Sequence, residues 1–355
     1  MRRSQWLWCV GLLMVLTAGA TVPVTAAPIH PGHIFVAYDS SNIGVFASTV
    51  SLTGHHVTTI DCITPYSFGA SAAVDGGGGV ALDEWGNLYV TTSNDGSGKL
   101  GIVKVNADGS LAFRRSYERG AGKDLPSSVT DFRSLAIHDG RIYVATNSGV
   151  RVFDAATGAR LSGADFGGNF AFRDLVFDRQ GNLYALRESP TGTAVIHRWG
   201  AGNLTGSGTV LFSASGNTDP RALAVDEQGH IYFTANPSGA RVVRKYKSDG
   251  ALLATYNAPI TTGVLIGLDY DPGTQRLFVS HTAAGIGQIL WVDRNAPSGT
   301  TMTAFGPNNL NGVRWLAVYP TPEPTANALV MIGFGIAMVA HQWRVRRRRR
   351  QRYIV

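Results

Sequence analysis

A short phrase recurs five times along the 355-residue chain and limits the fold more than any other feature. Each copy holds a short alternating apolar stretch, a turn that contains Gly, and a second stretch with an aromatic residue. The copies read VALDEWGNLYV, LAIHDGRIYV, LVFDRQGNLYA, LAVDEQGHIYF and LDYDPGTQRLFV. Alternation of apolar and polar residues predicts β-strands, and Asp followed closely by Gly is typical of a hairpin turn. The phrase therefore predicts a repeated antiparallel hairpin.

The spacing of these hairpins predicts a β-propeller. The aliphatic residues before each aromatic are Leu88, Ile142, Leu183, Ile231 and Leu277, which lie 54, 41, 48 and 46 residues apart. Repeats of this length are typical of propeller blades. Each copy continues into a third strand and usually a turn, as in GIVKVNADGSL and GVRVFDAATGARL, and we expect a fourth strand after the turn. The gaps leave no room for a helix of ordinary length, which argues against a parallel α/β fold.

The two ends of this region carry complementary fragments of the repeat. GHIFVAY and GVFASTVSLTG, which begin at Gly32 and Gly44, match a second and a third strand, whereas VRWLAVYP, from Val313, matches a first strand. Pairing of the two ends would complete a sixth blade and bury the open sheet edges. We therefore predict that Ile34 and Leu316 share one sheet. Residues 30–320 are predicted to form an all-β, six-bladed β-propeller closed by its N- and C-terminal strands.

The recurring LAVD, followed by Gly and Ile-Tyr, resembles the NHL and streptogramin-lyase-like propeller families. The resemblance extends over most of the repeated region. It implies the propeller fold and leaves the activity open, because one fold supports many unrelated functions.

Positive charge is concentrated at the two ends of the chain. The formal net charge is +7, and nine arginines lie at positions 2, 3, 344, 346–350 and 352. Without these nine, 22 basic residues face 24 acidic ones, a net charge of −2. The body therefore has no basic stripe, and we predict no nucleic-acid partner.

The N-terminus is predicted to be a secretory signal peptide over residues 1–26. Arg2 and Arg3 precede an apolar run over residues 6–18, and the small residues Val24 and Ala26 fit a cleavage site between Ala26 and Ala27. An uncleaved membrane anchor is the alternative.

Cysteine use excludes an internal disulfide from the mature chain. Cleavage of the signal peptide removes Cys9 and leaves Cys62 as the remaining cysteine. We expect Cys62 to be a small buried apolar residue, with an intermolecular bridge or a reactive thiol as alternatives.

The last 35 residues, 321–355, contain three elements in order. Pro322, Glu323 and Pro324 form an extended segment. Residues 326–340 are apolar apart from Asn327, and a helix continued to Trp343 has 18 residues, or about 27 Å, which is enough to cross a hydrocarbon core. The basic cluster would hold the C-terminus in the cytoplasm as a stop-transfer signal. Its arginines are Arg344, Arg346, Arg347, Arg348, Arg349 and Arg350. We therefore predict a C-terminal transmembrane helix.

This order of elements resembles the PEP-CTERM sorting signal of exported bacterial proteins. Thr321, Thr325 and Asn327 depart from the commoner residues of that signal. The resemblance implies recognition by an exosortase, a membrane cysteine transpeptidase-like enzyme, typically in Gram-negative bacteria that make extracellular polysaccharide. It implies passage through the inner membrane to the cell surface or the extracellular space. A plain C-terminal membrane anchor is the alternative.

Four aspartates recur at equivalent places in the repeats: Asp83, Asp178, Asp226 and Asp271. They should lie at one end of the propeller, where a ring of carboxylates could bind a divalent cation. Turn capping explains the same residues one blade at a time, and we expect that role. No metal ligand, catalytic residue or cofactor is assigned from the sequence.

Three further patterns have a chemical and a structural interpretation. His55 and His56 could ligate a metal, but neighbours on a strand point to opposite faces, and we expect solvated loop residues. DGGGGV, at residues 75–80, lacks the following helix that a phosphate cradle needs, so we expect a flexible loop between blades. The tryptophans could stack on sugars or pack between blades, and these are Trp85, Trp199, Trp291 and Trp315.

Three functions fit this sequence. The first is a non-catalytic binding or structural module of the cell envelope or extracellular matrix, linked to exopolysaccharide or to envelope proteins. The second is a metal-dependent lactonase- or lyase-like enzyme, in which acidic and amide side chains from several blades meet at the channel. The third is a spacer without a ligand.

Overall fold

A computed structural model describes residues 33–38, 42–47, 55–61, 78–92, 100–189, 192–216, 219–283, 286–305, 310 and 313–319. The predicted signal peptide, Cys62 and the predicted sorting signal with its helix lie outside the described residues. Within these ranges, no helix has the length and apolar character needed to span a membrane. The described chain consists of strands, turns and two single-turn 3₁₀ helices, Ser162–Ala164 and Pro237–Gly239.

The strands are numbered in chain order. The first seven are β1 (His33–Tyr38), β2 (Asn42–Ala47), β3 (His55–Asp61), β4 (Val80–Leu82), β5 (Leu88–Thr92), β6 (Leu100–Val105) and β7 (Leu111–Tyr117). The next seven are β8 (Phe132–His138), β9 (Arg141–Thr146), β10 (Gly149–Asp154), β11 (Phe172–Phe177), β12 (Leu183–Glu188), β13 (Ala194–Trp199) and β14 (Thr209–Ala214). The others are β15 (Leu223–Val225), β16 (Ile231–Ala235), β17 (Val242–Tyr246), β18 (Leu252–Asn257), β19 (Val264–Asp271), β20 (Arg276–Ala283), β21 (Ile286–Asp293), β22 (Thr303–Phe305) and β23 (Val313–Val318).

These strands form antiparallel sheets arranged as an all-β propeller. Five sheets have the four strands of a complete blade, with orders β4-β5-β6-β7, β11-β12-β13-β14, β15-β16-β17-β18, β19-β20-β21-β22 and β23-β1-β2-β3. A further sheet, β8-β9-β10, has three strands. The first strand of each sheet contacts the first strand of the next, in the order β4, β8, β11, β15, β19, β23, and β23 contacts β4. We call these six the inner strands.

The two ends of the described chain share one sheet. Strand β23 pairs antiparallel with β1, so that Ile34 lies opposite Val318 and Val36 lies opposite Leu316. The predicted pairing of the terminal strands is therefore confirmed, with β23 as the first strand of its sheet and β1 as the second. Tyr319, directly after β23, donates its backbone N–H to the carbonyl of His33 at 2.9 Å.

The expectation of a fourth strand in every blade is wrong for the β8-β9-β10 sheet. Residues 157–170 run along the free edge of β10 and bond to it at separate points. Val150 and Phe166 exchange two backbone hydrogen bonds, Leu161 donates to the carbonyl of Val152, and Asp165 Oδ1 accepts from the Val152 N–H. These bonds satisfy the edge groups that a regular strand would otherwise pair.

Apolar side chains fill the spaces between neighbouring sheets. Leu135 and Ile142 of the three-stranded sheet share a buried cluster with Tyr89 of the preceding sheet. Ala136, on the opposite face, shares another with Leu175 of the following sheet. Both faces of the blade are therefore buried. At about 25 cal/mol for each Å² of apolar surface, this burial is the main force that holds the blades together.

One sequence expectation about a loop is wrong. His55 and His56 begin strand β3, where they lie opposite Ala47 and Phe46, instead of lying in a loop. In the glycine run, the described Gly78 and Gly79 precede strand β4 without belonging to it, as expected of a connection between sheets, and both are buried. A Cβ atom on Gly79 would lie 2.5 Å from Cα of Ser134, so glycine is required there for close approach of two inner strands.

Candidate functional site

The inner strands surround a central cavity of about 270 Å³. Its wall includes main chain and side chains from successive inner strands, such as Ser134 to Ile137 of β8 and Asp174 to Phe177 of β11. Each inner strand has a paired neighbour in its own sheet on one side only. The other edge, with its N–H and C=O groups, therefore faces the cavity. The cavity wall combines apolar side chains with backbone donors and acceptors.

A β-bulge recurs near the start of the longer inner strands. In β8, Phe132 pairs with Thr146 and Leu135 with Val144, so two residues of β8 lie opposite Ala145. Comparable register shifts occur in β11 between Phe172 and Asp174, in β19 between Leu265 and Leu268, and where β23 pairs with β1. Bulges redirect side chains and are frequent next to functional sites. Here they set the direction of the residues at one end of the cavity.

Hydroxyl groups of the second strands satisfy the main chain at some of these irregular positions. Thr234 Oγ1 accepts from the N–H groups of Arg221 and Ala222, at 3.2 and 3.1 Å. Ser280 Oγ accepts from the Gly267 N–H at 2.7 Å. The irregular backbone is thus held by specific bonds, as a positioned site requires.

Two carboxylates in the cavity wall join neighbouring inner strands. Asp174 Oδ2 accepts from the N–H of Leu223 in the next sheet at 2.7 Å, and Oδ1 accepts from Leu175 at 2.8 Å. Asp269 repeats the arrangement, with Oδ2 accepting from Val318 in the next sheet at 2.8 Å and Oδ1 accepting from Tyr270.

Burial changes the titration of both carboxylates. Desolvation raises the pKa of Asp174 to about 7, although hydrogen bonds from Ser134 and two backbone N–H groups oppose the rise. Desolvation likewise raises the pKa of Asp269 to about 7, against two backbone hydrogen bonds. Near neutral pH each carboxyl is therefore divided between its protonated and ionised forms.

Four partly exposed arginines lie near the starts of three consecutive inner strands, and we call them the arginine arc. Its members are Arg133, Arg173, Arg187 and Arg221. Arg133, Arg173 and Arg221 each stand two residues before a buried leucine, in FRSL, FRDL and PRAL. Arg187 lies opposite Phe172 on the neighbouring strand β12. Arg314 holds the same sequence position in VRWL on β23.

Hydrogen bonds fix the positions of two arc residues. Arg133 Nε donates to Asp131 Oδ2 at 2.8 Å, and Nη1 donates to the Phe172 carbonyl of the next sheet at 3.3 Å. Arg221 Nε donates to Asp219 Oδ2 at 2.8 Å. A guanidinium has five N–H donors, so one carboxylate orients each of these arginines without using the whole group.

Arg187 and Phe170 extend the arc beside β11. The guanidinium of Arg187 lies over the Phe170 ring, 4.3 Å from its centroid. The buried His197 ring packs near Phe170, with 5.2 Å between centroids. Desolvation lowers the pKa of His197, and Arg187 adds to the effect. The Phe170 ring therefore packs against the Arg187 guanidinium, and the His197 ring packs against Phe170.

The arc was missed in the sequence, although a signal was present. The arginines recur two positions before a buried leucine in four repeats, in FRSL, FRDL, PRAL and VRWL. The net charge of −2 over the body predicts no basic stripe, but a net charge does not show which arginines become neighbours. Side-by-side inner strands bring equivalent positions together, and linear spacing does not show that.

At the opposite end of the strands lie the recurring turn aspartates. Asp178 Oδ1 accepts from the N–H groups of Gln180 and Asn182, and Oδ2 accepts from Asn182 Nδ2 and the Tyr184 hydroxyl. Asp83 makes the same four bonds in its own turn. Asp271 accepts from the Gly273 N–H and the Thr274 hydroxyl. The expected turn capping is therefore confirmed for these residues.

Asp226 has a larger network than the other turn aspartates. It accepts from the N–H groups of Gln228 and His230, from His230 Nδ1 and from the Tyr232 hydroxyl at 2.8 to 2.9 Å. Arg294 Nη1 of the next sheet lies 3.6 Å from Asp226 Oδ2 and 2.5 Å from Glu227 Oε1. Among the described residues, no group of three or more His, Cys, Asp or Glu side chains has a metal-binding arrangement.

A lysine and a tyrosine join neighbouring sheets beside two of these turns. Lys245 Nζ donates to the Arg294 carbonyl at 3.1 Å and lies over the Tyr232 ring. In the same way, Lys104 Nζ donates to the Ala155 carbonyl at 3.1 Å and lies over Tyr89. In both cases the accepting residue directly follows the third strand of the next sheet. In these two repeats a tyrosine of the repeated phrase and a lysine of the third strand therefore lie at a connection between neighbouring sheets.

The tryptophans divide between packing and exposure. Trp199 is buried, Trp315 lines the cavity and packs in the core, and Trp291 packs partly against the core. Trp85 is 64% exposed in a turn at the end opposite the arc. Blade packing is thus confirmed for Trp199, while Trp85 has the exposure that a binding residue requires.

The residues assigned to sorting and processing lie outside the described chain. They are Ala26, Ala27, Pro322, Glu323, Pro324, Arg344 and Arg346 to Arg350.

Comparisons with known proteins support the fold. No family model matches the chain, and no curated protein matches it. A chain in the crystal structure of a nidogen/laminin complex is 11% identical, with a TM-score of 0.57, over 81% of this chain and 98% of that one. A Bacteroides caccae protein of unknown function is 14% identical, with a TM-score of 0.52 and the same coverage. A streptogramin B lyase structure matches at 12% identity and a TM-score of 0.42, over 68% of this chain and 87% of that one. At these identities the first two matches show a shared propeller fold and no shared function.

Proposed function

We propose that this protein is an exported, six-bladed β-propeller that acts as a non-catalytic binding or structural module in the cell envelope or extracellular matrix. In this proposal the β8-β9-β10 sheet counts as a blade whose fourth strand is replaced by residues 157–170. The succession of six inner strands, in which β23 contacts β4, supports a closed ring of six blades. The predicted signal peptide over residues 1–26 supports export.

The hydrogen bonds that the aspartates accept support a non-catalytic role. Asp174 and Asp269 each accept a backbone N–H from the next sheet and a second one from their own strand. The turn aspartates Asp83, Asp178 and Asp226 each accept four hydrogen bonds within their turns. The cavity carboxylates join neighbouring sheets and the turn carboxylates cap their own turns, whereas a metal-dependent enzyme would need carboxylates to converge on an ion.

A metal-dependent lactonase- or lyase-like propeller enzyme is the second candidate. One observation favours it, because both cavity aspartates have a pKa raised to about 7. Carboxyl groups with such a pKa inside a cavity are candidates for general acid–base catalysis.

Thermal shift and turnover measurements separate these two candidates. We expect Ca²⁺, Mg²⁺, Mn²⁺ and Zn²⁺ to leave the melting temperature of the protein within about 1 °C, and lactone substrates to remain unchanged. Binding to purified exopolysaccharide of the host without release of products supports the first candidate. A metal-dependent rise of several degrees together with turnover would establish the second candidate and overturn the first.

We propose further that residues 321–355 are a sorting signal recognised by an exosortase, with a transmembrane helix that anchors the precursor in the inner membrane of a Gram-negative bacterium. The end of the propeller that carries the Asp83, Asp178, Asp226 and Asp271 turns is called the turn end here. The described chain reaches Tyr319 at this end. Tyr319 lies beside Gly86 in the Asp83 turn, since a Cβ on Gly86 would lie 3.0 Å from the Tyr319 ring. The turn end would therefore face the membrane, and the arginine arc would face away from it.

Fractionation of host cells with and without the exosortase tests the sorting proposal. With the enzyme, the mature protein should lose mass and move from the inner membrane to the cell surface or the medium. Without it, the full-length chain should accumulate in the inner membrane. Identical mass and location in both strains would leave a plain anchor as the correct interpretation. Deletion of residues 321–355 should release a folded propeller.

A further inference from the structure

The exposed large apolar side chains of the described residues lie toward the turn end of the propeller. They are Trp85, Leu111, Val210, Leu252 and Leu253. In each four-stranded antiparallel sheet the first strand ends at the turn end, so the fourth strand begins there. Leu111 and Leu252 are the first residues of β7 and β18, and Val210 is the second residue of β14. Trp85 lies in the turn that Asp83 caps. Among the described residues, the end that carries the arginine arc has no such side chain.

Hydrogen bonds between neighbouring turns hold these apolar residues at the turn end. The Ala107 N–H donates to Asn87 Oδ1 at 3.1 Å. This bond joins the turn before Leu111 to the turn that holds Trp85. An equivalent bond from the Ala201 N–H, also 3.1 Å long, fixes the loop before β14. The exposed apolar side chains therefore project from an ordered surface.

The chain leaves the described region beside Trp85. Tyr319 lies next to Gly86, where an added Cβ would be 3.0 Å from the tyrosine ring. The predicted apolar span begins seven residues later, at Ala326, and seven residues of extended chain reach at most about 25 Å. When the span is inserted in a membrane, the Trp85 turn therefore lies within about 25 Å of the hydrocarbon core.

The side chains at this end suit a lipid interface. Single exposed apolar residues are normal on a protein surface, but here they share the end that the tail would tether. Tryptophan is enriched where a membrane meets water, because its ring has an apolar body and an N–H donor. Exposed charges of both signs lie at the same end, such as Glu84, Asp249, Arg141 and Lys247. The contact would therefore be apolar and would not need anionic lipids.

We propose that the turn end docks on the lipid surface of the membrane that holds the tail, with Trp85 and the exposed residues that begin the fourth strands in contact with the interface. This inference rests on the proposed sorting signal and adds a contact that the propeller itself makes. The tail brings the turn end to the bilayer, and the apolar side chains hold it there. Until the tail is removed, the propeller lies against the membrane in one orientation, with the arginine arc turned away.

Fluorescent labels at single cysteines measure this contact. The protein is purified from the inner membrane of a strain without the exosortase and placed in phosphatidylcholine nanodiscs, in a Cys9→Ser and Cys62→Ser background. Labels at Glu84→Cys and Ala251→Cys, which adjoin Trp85 and Leu252 in the sequence, should be quenched by lipids with a nitroxide at the headgroup. A label at Ala240→Cys, exposed at the arc end, should not be quenched. Equal quenching at all three positions, or none at the two turn-end positions, overturns the inference.

Variants assign the contact to the apolar side chains. Trp85→Glu with Leu252→Glu should remove most of the quenching at the turn-end labels, because a carboxylate resists leaving water. Trp85→Ser with Leu252→Ser adds no charge and should also reduce the quenching. The matched control is Thr130→Glu with Ala240→Glu, two exposed positions at the arc end, which should leave it unchanged. Melting temperatures equal to that of the parent protein show that the variants are folded. Full quenching in both turn-end variants overturns the inference.

Salt and a second copy of the chain give two further outcomes. Quenching should be the same at low and high salt, because an apolar contact is not screened. Loss of quenching at high salt would show an electrostatic contact and overturn the apolar one. Cross-linking of two copies through the turn-end cysteines, without quenching by lipid, would assign this surface to a dimer and overturn the membrane contact.

Extraction of the membranes with alkaline carbonate keeps this inference separate from the sorting proposal. A protein that stays in the membrane while its turn-end labels remain unquenched has an inserted tail and no docked propeller, so the docking alone is wrong. A protein that the carbonate releases has no spanning tail, and both proposals are then wrong. Retention together with quenching at the turn end supports both.

Discussion

The turn end and the cavity of this propeller use aspartate in opposite ways. Asp226, in a turn, accepts two backbone N–H groups and two side-chain donors, with Arg294 3.6 Å away. Burial alone would raise the pKa of Asp226, but the bonds from His230 and Tyr232 outweigh it and the pKa is lowered. Asp174 also accepts two backbone N–H groups, yet its pKa is raised to about 7 because desolvation dominates.

This difference teaches that one hydroxyl donor and two backbone N–H donors do not hold a buried carboxylate in its ionised form when desolvation dominates. Hydrogen bonds from the His230 and Tyr232 side chains, together with electrostatic attraction to His230, decide the outcome at Asp226. Asp226 therefore stabilises the fold in its charged form, whereas ionisation of the cavity aspartates costs stability. The hydrogen-bond network indicates a structural role for Asp226. The cavity aspartates, in contrast, change their protonation near neutral pH.

The largest expected effect comes from the turn network. Asp226→Ala removes four hydrogen bonds and takes one carboxylate away from the buried Arg294, which also pairs with the partly exposed Glu227. We expect a loss of about 3–5 kcal/mol in the free energy of unfolding. Asp178→Ala is the matched control, because Asp178 makes the same four bonds in a more exposed turn, and it should lose about 1–2 kcal/mol. Chemical denaturation measures both, and equal losses would contradict a special role for the Arg294 network.

The pH dependence of stability tests the cavity aspartates. A carboxyl group whose folded-state pKa is raised binds more protons in the folded state than in the unfolded state between about pH 4 and pH 7, so its contribution to stability falls as pH rises through that window. Asp174→Asn cannot ionise. Relative to the parent protein, it should therefore become more stable by about 2–3 kcal/mol between pH 5 and pH 8.

The comparison with the parent protein cancels other titrations. His197 and His281 both have pKa values lowered by desolvation, and they destabilise the fold as pH falls below their usual value. They are present in both proteins. Asp269→Asn should show the same relative gain as Asp174→Asn, because desolvation raises the pKa of both carboxyl groups. A flat difference between pH 5 and pH 8 for both cavity variants would mean that these carboxylates are not desolvated.

Close approach of inner strands gives the next effect. Gly79→Ala places a Cβ atom 2.5 Å from the Ser134 backbone, and we expect a loss of about 1–3 kcal/mol from the forced separation of β4 and β8. Gly163→Ala is the control, since a Cβ at Gly163 meets no atom within 4 Å. Thermal unfolding of the two variants measures the difference. No loss for Gly79→Ala would show that these strands are not in close contact.

The smallest effect on stability is expected from the arginine arc. Arg173→Gln and Arg187→Gln concern partly exposed side chains, and each should change the free energy of unfolding by less than about 1 kcal/mol. Chemical denaturation of both variants measures the change. A loss of several kcal/mol in either variant would show that the arc residues make contacts that the fold requires.

Much of the fold was available from the sequence because local signals agreed with one another. The hairpin phrase specifies strands, an Asp-capped turn and a buried aromatic at once, and the terminal fragments complement each other. The three-stranded sheet was not predictable in this way. ATGARL after β10 contains the same turn signal as other repeats, but Asp165 and the buried Phe166 hold the following chain against the β10 edge without forming a strand.

The site was less predictable, because it depends on which residues become neighbours. Asp174 holds the place of Ser134 and Ala222 in the repeat, so nothing in its own blade marks it as a cavity residue. Its partner, the N–H of Leu223, lies 49 residues away. The arginines were visible as a recurring position, but their meaning depends on the bulges and on the ring that sets the inner strands side by side.

Closure of the ring is the claim on which the cavity, the arc and the comparison of aspartates depend, and a cysteine pair tests it directly. Phe35 and Ala317 lie opposite each other on β1 and β23, at a separation suited to a disulfide. In a Cys62→Ser background, Phe35→Cys with Ala317→Cys should form an intramolecular disulfide on mild oxidation and raise the melting temperature. The offset pair Phe35→Cys with Val313→Cys should not. Failure of the opposite pair to cross-link in the folded protein, or equal cross-linking of the offset pair, would contradict the closed ring.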